Sequence, residues 1–179
     1  MSKVKDMSSL KTKTRQTYTF EEAFEASKDY FFGNELAAKV CIDKYFLRNE
    51  QDDLVERTPE DMHRRLAAEF SRIDSENYGA DYDTQFELYY ERFKRFSRIV
   101  PQGSPMAAVG NTFQTLSASN CVVIDSPEDS ISGIMKTATE FAQLFKRRCG
   151  VGTDISRLRP DGFFVKNAAR TTSGAWSFA

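Results

Sequence analysis

Helical spacing governs the first hundred residues and stops at Pro101, so the chain must be a helical region followed by something built differently. Thr19-Phe20-Glu21-Glu22 reads as a capping box, with the threonine accepting from a first-turn N–H and Glu22 reaching back. Phe20, Ala23, Phe24, Ser27 and Phe31 then follow one helical face. Gly33-Asn34 ends that helix and starts a second, whose Leu36, Ala37, Val40, Cys41 and Phe46 share a face. Residues 48–56 read as a polar loop. Thr58-Pro59-Glu60-Asp61 is a stronger start signal: threonine as N-cap, proline at the first helical position, two acids in the first turn. Met62, Leu66, Phe70 and Ile73 make the stripe that follows, and beyond Gly79 the rings of Phe86, Tyr89, Phe93 and Phe96 mark a fourth helix. No basic patch accompanies those rings, so they are core rather than a base-stacking platform.

From Pro101 the texture is different. Pro101-Gln102-Gly103-Ser104-Pro105-Met106 and Gly110-Asn111 are turn chemistry, and small polar residues run on to Asn120. Cys121-Val122-Val123-Ile124 is then a short apolar, β-branched run, the signature of a buried strand in a parallel or barrel-like sheet. Pro127, Asp129 and Ser130 introduce a long helix with Ile131, Ile134, Met135, Ala138, Ala142 and Phe145 on one face. Its basic end, Lys146-Arg147-Arg148, suits the negative pole of the helix, and Cys149-Gly150-Val151-Gly152 breaks it as a turn. Phe163-Phe164-Val165 is a possible further strand, and the tail 168–179 reads as stopping partway through a fold.

Charge excludes several classes of partner. Lys and Arg number 25 against 26 Asp and Glu, so no net field steers the chain to nucleic acid or an anionic membrane. No apolar run approaches a membrane-spanning length, and the polar, basic N-terminus lacks the apolar stretch of a secretory signal. Residues 1–18 are expected to be a flexible arm. Three cysteines without CxxC spacing point to a reducing compartment, to no disulfide scaffold and to no metal site. The expectation is a soluble, cytoplasmic protein.

Few residues could carry chemistry. His63 is the single histidine, which excludes a Ser-His-Asp triad in practice, and its neighbours Arg64 and Arg65 place it on a solvated face. Cys121 opens the strand directly after Asn120, at the lip of a sheet; a redox or nucleophilic thiol and a small buried hydrophobe are both open to it. Cys41 reads as core. Arg147, Arg148, Arg157 and Arg159 flank Gly150-Val151-Gly152, an arrangement that could hold a nucleotide phosphate or simply be a charged surface turn. It is not a phosphate loop of the Gly-Lys-Ser/Thr type.

Several of these stretches, taken in order, resemble the large catalytic chain of ribonucleotide reductases. They are Thr58-Pro59-Glu60-Asp61-Met62-His63-Arg64-Arg65, Pro101 to Met106 with Gly110-Asn111, and Ser119-Asn120-Cys121-Val122-Val123-Ile124. Lys146 to Gly152, Ser156 to Gly162 and Asn167 to Gly174 continue the series. The wording is most similar to the adenosylcobalamin-dependent (class II) branch. The resemblance implies an α/β fold that is mainly α in this segment. A helical region over 19–100 would lead into the first elements of a ten-stranded α/β barrel over 101–179, the barrel incomplete. The arm is too short for the ATP-binding cone that family members often carry.

The resemblance also implies roles. Cys121 matches the first of two reducing cysteines that become a disulfide on each turnover, its partner lying outside these residues. Ser104, Asn120, Cys149 and Gly150 would line the substrate pocket, although Cys149 stands where the family usually has glycine. The helix from Ile131 resembles one of the dimer interface, where a deoxynucleoside triphosphate effector selects the base to be reduced. Arg159 matches an arginine on that triphosphate, and Asp129 is a candidate for its ribose. The loop Asp161 to Arg170 would be the first specificity loop. A thiyl radical would abstract the ribose 3′-hydrogen, the 2′-hydroxyl would leave as water, and Cys121 with its partner would reduce the intermediate. The thiyl cysteine and the second reducing cysteine are not in this sequence, so activity would need the remainder of the reductase chain. Implied partners are that remainder, a second copy of the complete enzyme, a ribonucleotide and a thioredoxin-like reductant, with neither nucleic acid nor membrane. The competing reading is a non-catalytic module derived from a reductase that still binds deoxynucleotides or dimerises.

Overall fold

A computed structural model describes residues 16–178, so most of the expected arm lies outside the described residues. Tyr18, the last residue assigned to it, is bridged antiparallel to Leu54 through a 2.9 Å main-chain bond. Two compact units divide the chain, one running to Val100 and regaining Val109–Phe113, the other formed by Pro101–Ala108 and the chain from Gln114 onward.

The first unit is helical: α1 (Phe20–Tyr30), α2 (Glu35–Lys44), α3 (Pro59–Tyr78) and α4 (Tyr82–Phe93), closed by a 3-10 turn at Lys94–Phe96. The capping box at Thr19 forms, Glu22 N–H donating to the threonine hydroxyl at 3.2 Å and Thr19 N–H to the Glu22 carboxylate at 2.9 Å. At α3 Thr58 is the N-cap and Pro59 opens the helix, as expected, and the Asp61 carboxylate accepts from the N–H groups of Arg57 and Thr58, each at 2.9 Å. Either arrangement satisfies donors that a helix start leaves open. Ala23, Ala38, Ile42, Met62, Leu66 and Ala67 are fully buried, the larger ones contributing about 1.5–3 kcal/mol each. Phe70 packs on Tyr89 and Phe93 across α3 and α4, but of the four rings expected in the core only Phe93 is buried, with Phe86, Tyr89 and Phe96 half-buried.

Three expectations for this unit fail. On α2 the inward face is Ala38, Cys41 and Ile42, while Leu36 is 73% exposed. The segment 48–56 is not simply polar, since Leu54 and Glu56 are buried within it. His63 is fully buried rather than solvated, because α3 is covered on a wide face that takes in Pro59, Met62, His63, Leu66, Ala67 and Ser71. Phe96 stands edge-on to its ring at 4.5 Å, and neither ring nitrogen meets a hydrogen-bond partner among the described residues. Burial pushes its pKa down to about 4.

A pair of opposite charges is also buried here. Glu56 and Arg65, with side chains 5% and 8% exposed, pair at 2.7 Å. Glu56 also accepts the Leu47 N–H at 2.8 Å, and Arg65 donates to the carbonyls of Tyr45 and Val109.

The second unit holds a short helix α5 (Gly103–Ala108), strand β1 (Cys121–Val123), helix α6 (Ile131–Phe145) and strand β2 (Gly150–Gly152). β1 and β2 pair in parallel, with Cys121 opposite Gly150, Val122 opposite Val151 and Val123 opposite Gly152. The parallel pairing was legible; the burial was not, since Cys121 is exposed and Val123 is 86% exposed. Gly150-Val151-Gly152 is a strand and not a turn, and the break in the chain falls one residue earlier, at Arg148 with φ +62°. Phe163–Val165 forms no strand of its own: a single antiparallel bridge joins Phe164 to Thr171 within a hairpin-like loop. The sheet among the described residues has two strands and is not closed, and the ten-stranded barrel is not seen in it. The apolar face of α6 is open, with Ile131, Met135 and Phe145 more than half exposed. No helix among the described residues is long and apolar enough to cross a membrane.

Two outcomes follow from the first unit. Replacing Arg65 by methionine strands Glu56 without its cation and lowers unfolding stability by about 3–5 kcal/mol in urea titrations, and adding Glu56→Gln recovers a substantial part. His63 binds a proton near pH 6.5 when unfolded and near pH 4 when folded. Its contribution is therefore complete above pH 6.5 and is lost as pH falls toward 4, about 3 kcal/mol in all. His63→Leu flattens that part of the stability profile, which unfolding titrations at pH 7 and pH 4.5 measure.

Candidate functional site

Four of the residues singled out in the sequence converge at the head of the strand pair. Asn120, immediately before β1, accepts the Gly150 N–H on its main-chain carbonyl at 2.7 Å. Its side-chain Oδ1 accepts the Ser104 N–H at 2.9 Å, and its Nδ2 donates to Oε1 of Gln102. Ser104 lies in the first turn of α5, a helix that begins with the Gln102 carbonyl accepting from Met106 N–H at 3.1 Å. Ser104, Asn120, Cys121 and Gly150 thus form one cluster around an exposed thiol.

Gly150 is a close approach between the two strands. A Cβ on it would stand 3.0 Å from Cys121 Sγ and 3.3 Å from the Asn120 carbonyl, so the thiol rests against a bare backbone. The same geometry separates Cys149 from Cys121. Cys149 lies one residue before β2, and Gly150, not Cys149, is the residue paired with Cys121. Cys149 is buried at 2% exposure, with its Sγ donating to the Gly150 carbonyl at 3.3 Å. Cys149 can reach the cluster only through its backbone.

The three thiols differ in kind. Cys41 is buried in the first unit, and burial pushes its pKa up to about 12, so it is inert. Cys149 is sequestered, and Cys121 is open.

Asp129 and Arg159, 30 residues apart, meet as well. Arg159 Nε donates to Asp129 Oδ2 at 2.5 Å, and its main-chain N–H and Nη2 add bonds to Oδ1 and the carbonyl of the same aspartate at 3.3 Å each. Both are about a third exposed. They line a cavity of about 350 Å³ with Ser130 and Ile134 on one side and Leu158 and Thr172 on the other. Ser130 caps α6 by accepting the Gly133 N–H at 3.0 Å, so the positive end of that helix opens beside the cavity. The loop that follows Arg159 is held by Thr172, whose hydroxyl donates to the Pro160 carbonyl at 2.6 Å and whose N–H donates to the Phe163 carbonyl at 2.9 Å. Arg159 is thus directed to Asp129.

Gln102 and Thr172 were missed in the sequence. Neither sits in a spacing pattern, and each acts on a partner far along the chain or across a loop, which periodicity does not reveal.

Comparison with known proteins adds a family. Residues 31–145 match the model of the ribonucleotide reductase all-alpha domain, and residues 119–179 match that of the ribonucleotide reductase barrel domain. A ribonucleoside-diphosphate reductase large chain of Neurospora crassa is 25% identical over 163 residues, covering 87% of this chain and 15% of that protein. A ribonucleoside-diphosphate reductase large subunit of Arabidopsis thaliana is 23% identical over 133 residues, 74% of this chain and 15% of its own length. A large chain of the same name from Cryptosporidium parvum is 34% identical over 56 residues, 31% of this chain and 7% of that one. The chain thus spans 15% or less of the length of these relatives.

The difference in thiol exposure predicts a simple labelling result. Under native conditions a neutral alkylating reagent modifies Cys121 at least about tenfold faster than Cys41 or Cys149, read by peptide mass spectrometry, and Cys121→Ser removes the fast phase.

Proposed function

Since this chain belongs to the ribonucleotide reductase large-chain family, we propose that it forms the N-terminal part of an enzyme reducing ribonucleotides to deoxyribonucleotides for DNA synthesis. The observation that carries the reading is the cluster of Ser104, Asn120 and Gly150 around the exposed Cys121 thiol. In this proposal the pocket receives the phosphates of a ribonucleoside diphosphate, the substrate named for the relatives. Backbone groups near Cys149 and Gly150 line it. Cys121 supplies one of two thiols. The pair gives up two electrons and two protons and closes to a disulfide, while the substrate loses its 2′-hydroxyl as water. A thiyl radical that takes the ribose 3′-hydrogen starts the reaction, from a cysteine outside this chain. A thioredoxin-like reductant restores the two thiols.

Asp129 and Arg159 are proposed to hold a deoxynucleoside triphosphate in the cavity beside α6, Arg159 at the phosphates and Asp129 at the ribose. A cation, a carboxylate and the N-terminal end of α6 in one cavity support this reading. The open apolar face of α6 is proposed to pack in a homodimer of the complete enzyme, and the complete enzyme is proposed to be cytoplasmic.

Adenosylcobalamin is the proposed source of the radical, from the class II wording of the sequence; when bound it supplies a carbon-centred radical by homolysis. No described residue of this chain is assigned to hold it. A second reading is favoured by the relatives' names, large chain and large subunit, which imply a companion chain that would carry the radical instead.

Turnover of CDP by the full chain tests these readings. Activity with adenosylcobalamin alone supports the first radical source, and activity only on addition of a separate radical-bearing chain supports the second. Cys121→Ser lowers turnover by on the order of a hundredfold or more in either case. Absence of turnover, together with deoxynucleoside triphosphate binding that Arg159→Ala removes in calorimetry, would establish the non-catalytic module instead.

A further inference from the structure

We propose that Gln102 is a positioning residue for the pocket: its side chain fixes the Asn120 amide so that Asn120 in turn holds Ser104 at the thiol-bearing strand. The inference rests on the substrate-pocket reading above for its functional meaning, though not for its geometry.

The argument is one of donors and acceptors. An asparagine amide has an oxygen end and a nitrogen end of nearly equal shape, and hydrogen-bond partners alone decide which way it points. Ser104 offers an N–H, so Asn120 must present Oδ1 to it. That leaves Nδ2 facing Gln102, where only an acceptor suits, and Gln102 supplies Oε1. The three groups make one directed chain, Ser104 N–H to Oδ1 and then Nδ2–H to Oε1, in which each bond polarises the next. Asn120 is meanwhile anchored through its carbonyl to Gly150 N–H, so its backbone cannot follow a wandering side chain. The Gln102 carbonyl also begins α5 through Met106 N–H, so one residue sets both the start of the helix and its link to β1. Removing only its side chain leaves that main-chain bond intact. This separates positioning from mere helix stability.

Residue-resolved hydrogen exchange on the full chain tests the proposal, with Gln102→Ala, Asn120→Ala, the double variant and Gln102→Glu. The expected result is that the Ser104 amide exchanges on the order of tenfold faster in either alanine variant and no faster in the double variant. The Met106 amide keeps its native rate, and Gln102→Glu, which retains an acceptor, restores the slow Ser104 exchange. CDP affinity, measured by calorimetry, falls in Gln102→Ala by a similar factor. An unchanged Ser104 rate in Gln102→Ala overturns the proposal, and so does a Met106 amide that quickens equally, because α5 would then be unravelling as a whole. If Ser104 responds as expected while the native chain binds no CDP, the positioning stands and the substrate-pocket reading fails.

Discussion

The buried pair of Glu56 and Arg65 organises the first unit. Taking two charges out of water costs several kcal/mol per ion, and here the cost is offset by the pairing itself and by hydrogen bonds from both partners to the main chain. The guanidinium grips both carboxylate oxygens and reaches two carbonyls, Tyr45 before the loop and Val109 where the chain rejoins this unit. The carboxylate closes the loop by taking the Leu47 N–H. Gly110 is part of the same arrangement: at φ +71° it lies so close to Arg65 that a Cβ would stand 2.8 Å from Cγ. The helices meet with ordinary apolar packing, and this ion pair ties the irregular segment before α3 to the one that returns to this unit at Val109.

Buried polarity of the opposite kind lies on the next residue but one. Among the described residues His63 has no partner for either nitrogen, and burial keeps it neutral. Arg65 and His63 show two ways for a helix to hide a polar side chain, the first by pairing it completely and the second by suppressing its charge. The first binds distant segments together. The second makes the packing of α3 sensitive to acid.

Much of the helical architecture could be read from local chemistry. Thr19 with Glu22, the Pro59 start and the acids behind it each mark a helix start within the chain's own neighbourhood, and the structure places helices there. What could not be read depended on distant cover. Leu36 and His63 exchanged their expected environments because apolarity says that a face is buried only when something lies over it, and the covering elements come from elsewhere in the chain. Gly150-Val151-Gly152 looks like a turn by composition, yet it is a strand: Gly150 lies against the thiol of β1, and neither glycine takes the left-handed φ of a tight turn. At the candidate site the adjacency of Asn120 and Cys121 was visible at once. The pairing of Asp129 with Arg159 was not, since 30 residues and a whole helix intervene between them.

The alternation along β2 has a further consequence for the fidelity of strand pairing. A slip of one residue would bring Val151 opposite Cys121 and drive a branched side chain into the space that the sulfur now occupies. A slip of two would restore a glycine opposite the thiol but would part Val122 from Val151, the one apolar couple the two strands share. The small–large–small order of β2 therefore acts as a steric reading frame. It admits a single alignment of a sheet too short to be specified by hydrogen bonds alone, with Cys121 serving as the gauge.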